Sequence, residues 1–195
     1  PPFFFVVSIQ FLNFVLSLLD EETTEIYVPI STGLRISEFT NKKIFCEYEE
    51  PKSQFLCALI RIIEEKDVEL NVTNSLDDPS FTKGEKLIKF DSVLAFPPFS
   101  VRKNLDIRND KYNRFKIHRG SILDVAHFEH ILSQTKNKAV VLMPVGFTFR
   151  SGVEEDFRKY LIEENLLRAI IQLPPYLYAA TSIETTLFII YKNTN

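Results

Sequence analysis

Seven basic residues fall within twenty positions: Arg102, Lys103, Arg108, Lys111, Arg114, Lys116 and Arg119 stand against only Asp106 and Asp110. Such a stretch can neutralise phosphates and bind a polyanion without reading its sequence. Just before it, the short apolar run Ser92 to Ala95 ends in Phe96-Pro97-Pro98-Phe99, where two prolines must terminate a strand. Glu47 closes another strand-like run, beside Glu49 and Glu50. His127 and His130, three apart on a predicted helix, have the spacing to share a metal, but no third ligand is placed to join them, so no metal is expected. Asn71-Val72-Thr73 has the form of a glycosylation acceptor but falls in a predicted strand, where chance explains it. Cys46 and Cys57 make neither a disulfide framework nor a metal-type pair, which suits a reducing, cytoplasmic setting.

The elements that would position these residues alternate. Glu25 to Pro29 reads as a strand leading into the turn Ile30 to Leu34, and Lys43 to Glu47 as a second strand. Pro51 opens a helix with Phe55, Leu59, Ile62 and Ile63 on its inward face. Val68 to Val72 alternates as a third strand, followed by a polar loop from Asn74 to Glu85. The run ending at Ala95 is the fourth. A helix from about Ser121 to Gln134 precedes the strand Ala139 to Met143. Ser151 and Glu154 have capping-box spacing before a helix that turns Val153, Phe157, Tyr160 and Leu161 to one side. Arg168 to Leu173 and Thr186 to Tyr191 are two strands with no helical pattern between them. Strands alternating with helices predict an α/β fold, a mostly parallel sheet covered on both faces with an antiparallel edge. In such sheets ligands bind beyond the carboxyl ends of strands, so the ends of the first, second and fourth strands matter most.

Composition sets the outer bounds. The chain has 195 residues, 45% hydrophobic and 25% charged, which is enough for one packed domain spanning 1–195. Its net charge of −3 excludes a uniformly basic nucleic-acid coat, so any polyanion contact must come from the local basic stretch at 101–120. Residues 3–19 are almost wholly apolar but short for a bilayer crossing, carry Gln10 and Asn13 centrally, and have no preceding basic residue. A buried helix is expected there; a membrane anchor is the alternative. A chain beginning at Pro1 reads as a fragment or a processed product.

The segment Phe90 to Ser100 resembles the catalytic stretch of amino-directed DNA methyltransferases, with Asp/Asn-Pro-Pro-Tyr/Phe at the positions of Phe96, Pro97, Pro98 and Phe99. Three further runs extend the likeness: Val140-Val141-Leu142-Met143-Pro144 through Gly146 to Arg150, Ile170 to Pro175, and Thr181 to Thr186. Together they resemble the modification (M) subunit of type I restriction-modification systems over nearly the whole chain. The resemblance implies a class I, Rossmann-like methyltransferase fold with a seven-stranded sheet. It further implies S-adenosylmethionine as cofactor, adenine N6 in DNA as target, and specificity (S) and other restriction-modification subunits as partners. The family's helical N-terminal domain has no counterpart in these residues. Carried over position by position, Pro29, Thr32 and Gly33 would form the cofactor loop, Glu47 would accept the ribose hydroxyls, and Asn74 would hold the adenine amine. The basic residues of 101–120 would face DNA.

Two departures bear on chemistry. Val28 stands where the family has an acid, and Gly33 alone remains of a two-glycine loop, which makes that loop less open. Position 96 is phenylalanine, with no hydrogen-bond acceptor. The family's Asn or Asp oxygen, with the first proline carbonyl, draws on the target amine's hydrogens, and the final aromatic stacks on the flipped base. Pro97 and Phe99 keep their parts; Phe96 cannot. A catalytically impaired subunit acting in DNA or subunit binding is therefore expected, the alternative being an active adenine-N6 methyltransferase. Phe147, Phe149, Tyr176 and Tyr178 are candidate contact residues, with placement in the core as the alternative for each.

Overall fold

The computed structural model describes residues 8–30, 34–49, 58, 62, 65–175 and 183–192. Five strands form the parallel part of the sheet, several of them short apolar runs: β1 (Glu25–Pro29), β2 (Lys43–Glu47), β3 (Val68–Asn71), β6 (Phe90–Ala95) and β7 (Thr135–Pro144). They pair in parallel in the order β3-β2-β1-β6-β7. Continuous apolar runs suit this arrangement, because a parallel sheet is buried on both faces. Two further strands, β8 (Leu167–Gln172) and β9 (Thr185–Tyr191), complete a seven-stranded sheet. β9 runs antiparallel between β7 and β8, leaving β8 at the edge. The antiparallel pair expected from sequence is therefore present, with its second member inside the sheet.

Side-chain alternation splits the core in two. Ile26 and Val28 of β1, with Val140 and Leu142 of β7, face α1 (Ile9–Ser17), which contributes Phe11, Leu12 and Val15. Tyr27, Ala139, Val141 and Met143 face the opposite layer, where α3 (Asp124–Ser133) and α4 (Val153–Glu163) bring Phe128, Phe157 and Leu161. A short helix, α2 (Leu34–Ser37), follows β1. α1 starts at Ser8, whose hydroxyl accepts from the Phe11 N–H at 3.1 Å. It is buried on one face only: Ile9 and Phe14 are exposed. Among the described residues no helix is long and apolar enough to cross a membrane.

Several expectations are revised. The polar loop at 74–85 runs into a small hairpin, β4 (Thr82–Lys83) with β5 (Lys86–Leu87), turning at Gly84 with φ +63 as mirror-image hairpin turns require. The Ser151–Glu154 capping box does not form. Gly152, at φ +81, takes the N-cap of α4, and Glu154 instead pairs with Arg150. Ile62 is 76% exposed, so it is not on an inward face. The rest of the helix expected from Pro51 lies outside the described residues apart from residue 58, as do Thr32, Gly33, Tyr176 and Tyr178.

Candidate functional site

Beyond the carboxyl ends of β1, β2, β3 and β6 lies a cleft of about 500 Å³. Ile30 follows β1 into it with φ 62, a strained conformation for a β-branched residue. The tip of β2 supplies Glu47, Tyr48 and Glu49, and the loop after β3 supplies residues 73–76. Pro98, Val101 and Lys103 come from the chain after β6, and Leu123 and His127 from the α3 end. The fold thus brings together segments separated in sequence, as strand-end sites in open α/β sheets do.

Glu47, expected to accept the ribose hydroxyls, lines the cleft but is engaged within the protein. The side chain is fully buried, with one carboxylate oxygen taking the Tyr27 hydroxyl and the other the Ser80 N–H at 2.5 Å and hydroxyl at 2.6 Å. Three donors within the protein thus take up most of its acceptor capacity. Two residues on, exposed Glu49 stands at the cleft and accepts from Asn74 Nδ2 at 2.6 Å. Asn74 is also differently engaged than expected: its Oδ1 accepts from the backbone N–H of Leu76 at 3.0 Å and Asp77 at 3.4 Å, shaping its own loop. Sequence spacing missed Glu49 because the run Glu47-Tyr48-Glu49-Glu50 offers several acids at one strand tip. Pro29 ends β1 in register with Glu47.

Of the four expected catalytic positions only Pro98 lines the cleft. Pro97 is buried. The Phe96 ring lies 5.9 Å from that of Phe11 on α1, and Phe96 and Phe99 both pack against the core under that helix. The turn is tethered from the other side, where Ser100 donates its N–H to Asp124 Oδ1 at 2.7 Å.

Beneath the cleft a buried relay begins at Glu47. Tyr27 donates to Glu47, His130 Nε2 lies 3.1 Å from the Tyr27 oxygen, and Arg114 Nη1 lies 3.0 Å from His130 Nδ1. Arginine can only donate, so Nδ1 is the acceptor, Nε2 carries the proton, and every donor in the chain meets an acceptor. A second proton on His130 would break the Arg114 bond. Burial first, then the Arg114 charge, accordingly holds His130 well below its usual pKa. Burial and the Glu47 charge push the Tyr27 phenol upward.

Arg114 is therefore not the surface contact expected. It is 6% exposed and also donates to the carbonyls of Ser75 at 2.8 Å and Leu76 at 2.7 Å and to Asp110 at 2.9 Å. The same segment is anchored again where buried Glu129 accepts the N–H groups of Lys116, Ile117 and His118 at 2.7–2.9 Å. Arg102, Lys103, Arg108, Lys111, Lys116 and Arg119 do remain exposed, Lys103 pairing with Asp77 and Arg119 with Asp156. Phe147 is fully buried, whereas Phe149 is 71% exposed.

Three buried polar atoms at the cleft have no protein partner: Ser75 Oγ and both ring nitrogens of His127. Burial, with His118 nearby, lowers the His127 pKa to about 4. The unfolded chain would bind this proton near pH 6.5 and the folded chain would not. The stability that follows is complete above about pH 6.5 and is lost as pH falls toward 4, at most about 3 kcal/mol. Asp124 and Glu129, raised by burial, work in the opposite direction, because acidification relieves their cost. His127→Leu is expected to remove about 2 kcal/mol of the wild-type difference in urea stability between about pH 7 and about pH 5. An unchanged pH dependence in the variant would refute this assignment.

Comparison with known proteins fits this architecture. The type I restriction enzyme MpnII methylase subunit of Mycoplasma pneumoniae is 34% identical over 113 residues, covering 53% of this chain and 21% of that protein. The MjaVII methylase subunit of Methanocaldococcus jannaschii is 26% identical over 165 residues, covering 75% and 27%. Thus the chain spans about a quarter of these relatives' length. The solved methyltransferase subunit of a type I restriction-modification system from Streptococcus thermophilus superposes with a TM-score of 0.76 at 22% identity, over 94% of this chain and 43% of that one. A modification subunit of a type I restriction enzyme from Vibrio vulnificus gives 0.74 at 17% identity, over 96% and 44%. The N-6 DNA Methylase family profile matches residues 35–195, and with the sheet order and cleft already described it establishes that this chain belongs to the N-6 DNA methylase family.

Proposed function

We propose that the strand-end cleft is an S-adenosylmethionine site and that the chain serves as a modification-type subunit whose methyl transfer is disabled, contributing DNA or subunit binding. Three features support cofactor occupancy: a cleft of about 500 Å³, the exposed Glu49 carboxylate at the β2 tip, and the unpartnered Ser75 hydroxyl in its wall. When bound, this cofactor supplies the methyl group. Glu49 would accept the ribose hydroxyls in place of Glu47, with Asn74 holding its carboxylate in position. Leu76 and the Arg114-supported carbonyls shape the loop beside it, and the solvent-exposed Arg102, Lys103 and Arg108 would meet phosphates.

The observation that carries the impairment is the Phe96 ring resting on Phe11. By the family resemblance position 96 is where an acceptor for the target amine would stand, and the phenylalanine there, its ring seated in the core under α1, offers none. Losing one such preorganised contact costs about 10²–10³ in rate. Binding and chemistry are tested separately. Calorimetry with S-adenosylhomocysteine is expected to show binding that Glu49→Gln weakens by about tenfold or more, since it removes charge from the acceptor. Absence of binding, or indifference to the substitution, would overturn the cofactor assignment. With tritiated S-adenosylmethionine and adenine-containing DNA, transfer is expected below about 1% of an active family member's rate; comparable turnover would overturn the impairment.

A further inference from the structure

At the other pole of the sheet the fold gathers lysines that are far apart in the chain. A groove of about 510 Å³ is bordered by Lys86 and Lys89 from the β4–β5 hairpin and its exit, Lys111 and Lys116 from the basic segment, and Lys192 just after β9. Its position follows from the topology. Lys89 immediately precedes β6, and Lys192 donates its N–H to Asn137 near the start of β7, so the groove lies by the amino ends of the parallel strands. The cofactor cleft lies by their carboxyl ends.

We propose that this groove is a second nucleic-acid contact, which holds a run of phosphodiesters independently of the cofactor cleft. Among the described residues none of its five lysines makes a salt bridge. Of the two acids lining it, Glu129 is buried and its oxygens are taken by three backbone N–H groups. Glu85 is the one solvent-exposed carboxylate of the lining, so two acids stand against the five lysines and the lining keeps an excess of positive charge. Lys192 is more enclosed than the others: its Nζ donates to the Leu132 carbonyl at 2.7 Å, and burial first, then the charges of Lys89 and Lys116, lowers its pKa.

Lysines from separate segments along a groove are flexible point charges, suited to successive phosphates rather than to one planar carboxylate that an arginine fork would grip. Tyr112 and Tyr160 add ring surface to the wall. Lys86, Lys89, Lys111 and Lys116 are exposed, so their charges are free to meet a polyanion without refolding. The sequence patch therefore divides: Lys111 and Lys116 belong to this groove, and Lys103 to the cleft.

The test uses the whole chain without cofactor, so it does not depend on the cleft being an S-adenosylmethionine site. Binding of fluorescent duplex and single-stranded DNA is measured across a salt series, with polyglutamate as a third probe. Lys86→Glu/Lys89→Glu/Lys116→Glu is expected to weaken DNA binding at least about tenfold and to reduce the salt slope by about 2–3. The milder Lys→Gln triple variant should do so in the same direction, while both keep the wild-type melting temperature. DNA affinity and slope unchanged by these substitutions would overturn the proposal. Tighter binding of polyglutamate than of DNA would also overturn it, in favour of an acidic protein partner.

Discussion

Replacing Arg114 with leucine should cost roughly 3–5 kcal/mol of folding stability, the usual penalty for removing one partner of a buried ion pair. The Asp110 carboxylate, whose side chain is 4% exposed, would remain in the interior without its cation. The carbonyls of Ser75 and Leu76 and the Nδ1 of His130 would lose their donors in the same step. For a chain of this size each kcal/mol shifts the melting temperature by about 2–4 °C, so a fall of roughly 10 °C is expected. Arg114→Lys should recover only part of this, because one ammonium cannot reproduce the planar fork that reaches four acceptors. Because Arg114 holds the carbonyls of Ser75 and Leu76, which line the cleft proposed as the cofactor site, the leucine variant should also weaken S-adenosylhomocysteine binding. An Arg114→Leu protein within about 1 kcal/mol of wild type in urea unfolding would show that the relay contributes little to stability.

The second large effect is expected at Phe128. Its ring is fully buried on α3 and meets Phe157 at 5.0 Å, Phe188 at 5.7 Å and Phe147 at 6.0 Å between centroids. Truncation to alanine removes contacts with β9, α4 and the turn after β7 at once. The cost should be about 3–5 kcal/mol, while Phe128→Leu, which keeps most of the volume, should cost clearly less. The same helix carries Glu129 and His130, which fasten the basic segment. Hydrogen exchange in residues 111–118 should therefore quicken in the alanine variant. Slow exchange there, despite a lower melting temperature, would mean that the segment is held independently of α3.

Much of this architecture was legible because apolar periodicity and burial on both sheet faces leave a strong imprint. The strands at 25–29 and 43–47 stand where the pattern places them, and the sheet class follows from alternation with helices. What was not legible depended on side-chain direction. Glu47 and Glu49 are equivalent acids in sequence, and only the approach of Ser80 and Tyr27 shows which one is already satisfied. Arg114 looks like its basic neighbours; the one local hint was Asp110, four residues earlier, which now pairs with it. The small hairpin was announced only by Gly84 between two lysine-flanked dipeptides, too little apolar material to register as strands. The groove lysines are scattered over more than a hundred positions, so no window of sequence could assemble them.

The placement of β9 has a consequence for biogenesis. Every residue from Lys138 to Pro144 finds its neighbour on β9, and among the described residues β8 is joined to the rest of the sheet through that strand alone. Until residues 185–191 have been synthesised, β7 keeps a row of unpaired backbone N–H and C=O groups along this side and β8 has no strand to pair with. One late strand thus completes two pairings at once, because β9 lies between β7 and β8.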